Sequence, residues 1–183
     1  MARSSQTDMA VLGALSIEPM TGYALREAIR DVLGHFWSES FGQIYPTLAR
    51  LEQFGHVERD PATRAYRITA AGTRHFHELL AQPIQDVPAR NGLLLRLFFG
   101  RSLGIEACRA LLTRSRDEAR RRLAEYDEIA ATVATESQHT DDAVFWQMTV
   151  SAGRHSARAA VAWADECLAV LDRFPAAAPG TDR

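Results

Sequence analysis

A polar pair on one predicted helix has the chemistry needed to read nucleic acid. Gln43 and Thr47 are four residues apart, in a segment whose apolar residues recur every three or four positions. On a helix this spacing places both side chains on one face, which we expect to point away from the apolar stripe. A glutamine amide pairs well with adenine in the major groove, and a threonine hydroxyl can contact a base or a phosphate. The alternative is a pair of solvated polar residues.

Nearby side chains could position a DNA backbone. Tyr23 is predicted at the start of a helix, where its hydroxyl and the free backbone amides both suit a phosphate, although it could equally be a packed aromatic. Tyr45 is expected to be half buried, with a hydroxyl that could still reach a phosphate. Arg50 could meet a phosphate or pair with Glu52 or Glu58. The chain has no lysine, so any cationic contact must come from one of its 21 arginines.

The same search finds no sequence pattern for catalysis or for metal binding. The chain has no glycine-rich phosphate loop, HExxH motif, nucleophile elbow or clustered pair of acids. His75 and His77 are two residues apart, which places them on different faces of a helix. Cys108 and Cys167 lack the spacing of a metal motif, and we expect both to be small core residues. The sequence therefore predicts no enzyme, no metal and no cofactor.

Two predicted helices precede the segment that contains Gln43. The first is expected over residues 7–17, with Thr7 or Asp8 available as its cap. Thr21 is expected to cap the second, which stops near Gly34.

A third helix, a hairpin and a fourth helix complete the N-terminal region. The third helix is predicted from about Ser40 to Phe54, and Pro46 fits it only near the first turn or at a bend. The following elements are strands at 56–59 and 65–69, a turn at 60–64, and a helix from Thr69 to about Gln82. This order is that of a winged helix-turn-helix, whose third helix is sized for the major groove and whose hairpin reaches the adjacent backbone or minor groove. The order also occurs in protein-binding modules.

The residues of this region resemble the PadR family of transcriptional regulators. The resemblance rests on PMTGYAL at 19–25 and SFGQIYPTLARLE at 40–52, and it continues through the hairpin to Gly72. It covers residues 8–82 and implies that the second motif forms a DNA recognition helix. On this basis Ser40 joins the residues expected to contact DNA.

The predicted wing departs from that family. PadR relatives commonly carry a tip rich in glycine, lysine and arginine, whereas the turn from Asp60 to Arg64 is short and contains one acid. Arg64 and Arg67 are therefore the candidates for a contact between the wing and a phosphate.

Beyond Pro83 and Pro88 the chain is predicted to be helical. An apolar segment at 90–100 is followed by two long periodic segments, 105–138 and 141–174. Such long helices need a partner to bury their apolar stripe, and a second copy of the chain would supply one. A helical hairpin within one chain is the alternative. This half is similar, more loosely, to the virulence-activator type of the family.

Four aromatic residues are candidates for binding a small aromatic effector: Phe36, Trp37, Phe98 and Trp163. The resemblance implies such a role, since PadR-like regulators often respond to phenolic or drug-like molecules bound near the dimer core. The alternative is that these side chains belong to the apolar core. The basic run at 120–122 lies among acids and is predicted to be a solvated, ion-paired helix face.

The sequence thus predicts a mainly α protein: a winged helix-turn-helix in residues 1–85, a helical domain for dimerisation and effector binding in 86–175, and a flexible tail in 176–183. We expect a dimeric, sequence-specific repressor of a palindromic DNA operator that an effector can release. The competing hypothesis is a winged helix that binds protein, which the net charge of −2 and the acidic wing favour. No apolar run could span a membrane and the N-terminus lacks signal-peptide features, so we expect a cytoplasmic protein.

Overall fold

The computed structural model describes residues 2–34, 37, 41–84, 91–135 and 140–174. The chain separates into two compact units, which meet between residues 87 and 88. The elements of the first unit are α1 (Ala2–Ile17), β1 (Met20–Thr21), α2 (Gly22–Ala28) with a π-helical turn (Ile29–Leu33), a 3-10 turn (Phe41–Gln43), α3 (Ile44–Gln53), β2 (Val57–Arg59), β3 (Ala65–Ile68) and α4 (Ala70–Leu80).

This first unit is a winged helix-turn-helix, as predicted. Its antiparallel sheet has the order β1-β3-β2, in which Met20 pairs with Tyr66 and Val57 with Ile68. The sequence analysis identified the hairpin of β2 and β3 but not β1. That strand has only two residues, too few for a period-two pattern to be visible.

The predicted helix boundaries of this unit are mostly confirmed, and each has a local cause. The hydroxyl of Thr21 accepts a hydrogen bond from the amide of Ala24 at 3.2 Å, and Thr69 caps α4 in the same way. Gly55 has a φ of 70° and ends α3, while the amide of His56 donates to the carbonyl of Leu51 at 2.9 Å. Pro46 lies in the first turn of α3, where its missing amide costs little.

The start of α1 was predicted wrongly. The helix begins at Ala2, so Thr7 and Asp8 lie inside it and are both buried instead of capping it. Ile17 is exposed at the end of the helix. The core that holds the four helices and the sheet together consists of buried Val11, Leu12, Leu15, Leu25, Ile29, Ile44, Leu48, Leu51, Val57, Tyr66 and Leu79.

Glycine is required where α4 passes the corner between α3 and β2. A Cβ atom on Gly72 would lie 1.9 Å from the carbonyl oxygen of His56, a distance that no backbone adjustment of ordinary size could relieve. The same carbonyl accepts the amide of Thr69 at 3.0 Å. The hairpin is thereby fixed to the end of α3.

The second unit is helical throughout its described residues. It contains α5 (Gly92–Phe98), α6 (Gly100–Leu103), α7 (Ile105–Thr135) and α8 (Thr140–Asp172). Helices α7 and α8 pack against each other within one chain, which is the helical hairpin that the sequence analysis left open as the alternative. Helix α7 buries Cys108, Leu112, Ala119 and Tyr126, and α8 buries Val150, Ala157 and Ala164.

Close approach and ion pairs hold this hairpin. A Cβ atom on Gly153 of α8 would lie 2.2 Å from the ring of Tyr126, so the glycine makes room for that ring. Arginines and acids pair between the helices: Arg109 with Asp172 at 2.5 Å, Arg116 with Asp165 at 3.2 Å, Arg120 with Asp165 at 3.6 Å, and Arg154 with Asp127 at 2.7 Å. Arg121 and Arg122 both pair with Glu118, which confirms the predicted ion-paired face at 120–122.

Within the described ranges, no helix is both long and apolar enough to cross a bilayer.

Candidate nucleic-acid interface

The candidate recognition helix, α3, begins in the middle of its own motif. The 3-10 turn ends at Gln43, whose side chain is exposed and makes no cap hydrogen bond. Ile44, Leu48 and Leu51 are buried, which fixes the rotation of the helix about its axis. The side-chain amide of Gln43 is therefore exposed at the N-terminal end of α3.

The prediction that Thr47 shares an exposed face with Gln43 is wrong. Thr47 is 5% exposed. It completes the spacing i, i+3, i+4, i+7 with Ile44, Leu48 and Leu51, so it lies on the core side of the helix. Gln43 precedes the helix proper, and the four-residue spacing rule does not extend across its 3-10 turn.

Tyr45 of α3 packs against the start of α2, where Tyr23 is the second residue. A Cβ atom on Gly22 would be 2.9 Å from the ring of Tyr45, so the ring packs directly over the first residue of α2. Tyr23 follows Gly22 in the chain and is 65% exposed, and Tyr45 is 49% exposed. The guanidinium of Arg26 lies 6.0 Å from the ring centroid of Tyr23. The start of a helix presents free amides, so this surface has the polarity that an anion requires.

Arg50 has neither of the acidic partners named from the sequence. Its guanidinium forms a two-pronged ion pair with Asp8 of α1, in which one nitrogen lies 3.1 Å from Oδ2 and the other contacts Oδ1. The Asp8 side chain is 7% exposed. Pairs of this geometry are strong and directional, so Arg50 joins α1 to α3 and its bidentate group is already occupied.

The hairpin presents a wing with several arginines. Arg64 is exposed and adopts a left-handed backbone with a φ of 62°. Arg67 lies 3.6 Å from Glu58 and 3.9 Å from Asp60, so its charge is shared with acids. The sequence analysis missed Arg59, whose guanidinium lies 5.2 Å from the ring of Tyr66. The signal was available, because Arg59 and Tyr66 are direct partners across the two strands.

Asp60 organises the tip of this wing. Its Oδ1 accepts the amides of Ala62 and Thr63, both at 2.8 Å. Its carbonyl accepts the amide of Arg64 at 2.9 Å, and its amide donates to Ala65 at 2.8 Å. The hydrogen bonds from Thr63 and Ala62 lower the pKa of Asp60 below its ordinary value.

A pocket lies at the other end of α3. It has a volume of about 310 Å³ and is lined by Asp8, Arg50, Leu51, Phe54, His56 and His75. The rings of His56 and His75 stack with their centroids 4.5 Å apart. Burial, and then the neighbouring His75, lower the pKa of His56. Among the described residues, no cluster of three or more histidine, cysteine or acidic side chains has the geometry of a metal site.

The structure describes three of the four effector candidates: Trp37 in the first unit, and Phe98 and Trp163 in the second. Trp37 packs against the core of the first unit, which favours the structural alternative for this residue. In the second unit, Phe98 is 84% exposed and meets Phe99 edge to face at 5.1 Å, and Trp163 is half buried on α8. Phe36, like the DNA candidate Ser40, lies outside the described residues.

Family comparisons agree with this division of the chain. Residues 11–78 match the PadR-like family of transcriptional regulators, and residues 89–172 match the virulence activator alpha C-terminal family. The negative transcriptional regulator PadR of Bacillus subtilis is 23% identical over 177 residues, which span 90% of this chain and 96% of that protein.

Solved structures of such regulators have the same fold. The PadR-like regulator BC1756 of Bacillus cereus superposes with a TM-score of 0.78 at 23% identity, covering 91% of this chain and 98% of the other. The virulence activator AphA of Vibrio cholerae gives a TM-score of 0.71 at 26% identity over the same shares. Bacillus subtilis PadR has been solved with operator DNA and with p-coumaric acid, at TM-scores of 0.74 and 0.75 and 24% identity. These structures cover 90% or 91% of this chain and 98% of their own.

These relatives are regulators and not enzymes. With an N-terminal winged helix-turn-helix and a C-terminal helical unit that match the two family models in order, the chain belongs to the PadR-like family of transcriptional regulators.

Proposed function

We propose that this regulator is a dimeric repressor that binds a palindromic DNA operator through its first unit and releases it when a small aromatic molecule binds. The observation that carries the DNA-binding part is the contact between Tyr45 and Gly22, which joins the start of α3 to the start of α2. The relative solved with operator DNA supports the same ligand class.

The proposed contacts divide into base reading and backbone positioning. Gln43 is the candidate for base reading, since its exposed amide can donate to and accept from one adenine. Tyr23 and Tyr45 are the candidates for phosphate contacts, because both phenols are exposed and Tyr45 packs against the first residue of α2. Arg64 is an exposed wing cation, and no ion pair is recorded for its side chain among the described residues, whereas Arg67 lies near Glu58 and Asp60. Arg50 contributes indirectly, by holding α3 against α1.

The second unit supplies the reason for a dimer. Helix α5 and the residue after it expose a run of large apolar side chains: Leu94, Leu95, Phe98 and Phe99. The start of α8 exposes a second set: Val144, Phe145 and Met148. Large contiguous apolar patches mark interaction surfaces, and the occupant that we propose is a second copy of the chain. A two-fold axis then matches a palindromic operator.

Effector release is proposed because a similar regulator, Bacillus subtilis PadR, has been solved in complex with p-coumaric acid. Phe98 and Trp163 are aromatic side chains of the second unit that are not fully buried. A planar aromatic acid that binds one arrangement of the dimer better than the other would shift the spacing of the two recognition helices.

The test is fluorescence anisotropy with a labelled duplex from upstream of the protein's own gene, against a scrambled duplex, at low and moderate salt. We expect saturable binding that prefers the upstream duplex and weakens with salt. Gln43→Ala should lower the preference between duplexes by about tenfold, and Tyr23→Phe should weaken binding to both equally. Gln53→Ala, which removes an exposed glutamine at the other end of α3, is the matched control and should change neither. Absence of binding to every duplex at low salt would contradict the proposal.

A further inference from the structure

The tip of the wing contains a residue in an unfavourable conformation. Arg64 is the one non-glycine residue with a positive φ among the described residues. Residues with a Cβ atom rarely adopt the left-handed backbone region, and turns that need it usually contain glycine. An arginine at such a position indicates a function for its side chain.

The surrounding hydrogen bonds explain how the conformation is held. The carboxylate of Asp60 accepts the amides of Ala62 and Thr63, and the carbonyl of Asp60 accepts the amide of Arg64. The amide of Asp60 closes the loop on the carbonyl of Ala65. The backbones of Ala62, Thr63, Arg64 and Ala65 therefore all hydrogen-bond to Asp60, and Pro61 has no N–H to donate.

We propose that Asp60 is a positioning residue, which preforms the tip of the wing and presents Arg64 to a DNA phosphate. This inference rests on the DNA binding proposed above and adds the residue that orders the wing contact. It also accounts for an acid at a surface that meets a polyanion. In an ordered loop Arg64 loses less conformational freedom when it binds, which favours association.

The direction of the change in DNA affinity distinguishes a positioning role of Asp60 from a purely electrostatic one. By charge alone, removal of an acid beside DNA strengthens binding, because the net repulsion of the phosphates falls. Loss of a positioning residue weakens binding although the net charge has become more favourable. Asp60→Ala removes both the charge and the acceptor, whereas Asp60→Asn removes the charge and keeps an oxygen at the same place. Glu58→Gln removes a neighbouring acid of the wing that accepts none of these amides, and serves as the charge control.

The experiment combines anisotropy titrations against the upstream duplex with backbone 15N heteronuclear NOE measurements on the free protein. We expect Asp60→Ala to weaken binding by about fivefold to tenfold, to the level of Arg64→Ala, with a shallower salt dependence. Asp60→Asn and Glu58→Gln should bind at least as tightly as the wild type. The double variant Asp60→Ala/Arg64→Ala should bind no more weakly than Arg64→Ala. The NOE values of residues 62–65 should fall in Asp60→Ala and in the double variant, but not in Asp60→Asn or Glu58→Gln.

Arg64→Gly gives an independent readout. Relief of the left-handed arginine should raise the Tm of the first unit, while DNA binding weakens. Asp60→Ala binding as tightly as Glu58→Gln, or unchanged NOE values at 62–65, would overturn the positioning role. If the wild type binds no duplex, the presentation of Arg64 to DNA is overturned together with the proposed function, and the NOE values alone then decide whether Asp60 orders the loop.

Discussion

The two units of this regulator treat their large apolar side chains in opposite ways. In the first unit, leucines and isoleucines from four helices converge on one core, and Tyr23, Gln43 and Tyr45 expose hydroxyl or amide groups at the start of α2 and α3. In the second unit, the α7–α8 seam is lined largely by small residues and ion pairs, while leucines and phenylalanines of α5 remain exposed. The first unit thus has a core of large apolar residues within one chain, whereas the second exposes a run of them on and beside α5.

This difference indicates that the exposed surfaces of the two units have different roles. A closed core leaves the surface of the first unit free for polar recognition, and its exposed tyrosines and glutamine have that chemistry. The exposed apolar side chains of the second unit are the basis of the dimer proposed above. A change that acts on one unit should therefore leave the other largely intact.

The largest expected effect comes from placing a charge on the exposed apolar surface of α5. Phe98→Asp should weaken self-association by more than about a hundredfold, since two-fold symmetry places the change in both chains and hot-spot aromatics dominate interfaces. Sedimentation velocity measures the monomer–dimer equilibrium. Phe54→Asp replaces an exposed phenylalanine of the first unit and is the matched control, which should leave the equilibrium unchanged. Equal behaviour of the two variants would remove the proposed dimer surface from α5.

A smaller effect should distinguish the ion pairs of the two units. Asp8→Asn removes the charge from a nearly buried carboxylate that faces Arg50, and should destabilise the first unit by about 2–3 kcal/mol. Asp172→Asn breaks the pair with Arg109 on the surface of the second unit, where an exposed pair contributes about 1 kcal/mol or less. Hydrogen exchange detected by mass spectrometry reports each unit separately. Equal losses in both units would mean that burial of Asp8 does not determine the strength of its pair.

The sequence predicted the elements of both units well but was less successful with individual contacts. Helix α7 was expected over 105–138 and is Ile105–Thr135, and the caps Thr21 and Thr69 are where the sequence placed them. These features depend on local periodicity and on single hydrogen bonds between near neighbours. The α1 boundary failed because an early cap signal, Asp8, is used instead for a contact with the third helix.

For the candidate site too, local features were predicted better than contacts between distant residues. Tyr23 and Gln43 are exposed as expected, because their positions follow from helix ends that the sequence marks. Burial of Thr47 agrees with its spacing from Ile44 and Leu51, which places it on the apolar stripe of α3. The sequence did not mark the 3-10 turn that separates Gln43 from this helix, so the two residues were wrongly assigned to one face. The Asp8–Arg50 pair joins residues 42 apart in the chain, and no local pattern reports such a contact.

The smallest expected effect is a pH dependence confined to the first unit. Burial and His75 lower the pKa of His56, and the nearby acids Asp8 and Glu78 only partly oppose this. The unfolded chain therefore binds the proton more readily, so the unit should keep its full stability above about pH 6.5 and lose part of it as the pH falls below that value.

This pH dependence should depend on a specific ring. The Nδ1 atom of His56 is buried and has no hydrogen-bond partner among the described residues, so the added proton would lie beside Arg50 and the stacked His75 ring with little compensation. Thermal unfolding of the first unit between pH 7.5 and 5.5 should show a fall in Tm of a few degrees in the wild type. His56→Gln should remove most of that fall, whereas His77→Gln, an exposed histidine of α4, should retain it. Loss of the pH dependence in His77→Gln, or its persistence in His56→Gln, would assign the titration to another group and leave the stacked pair with a packing role alone.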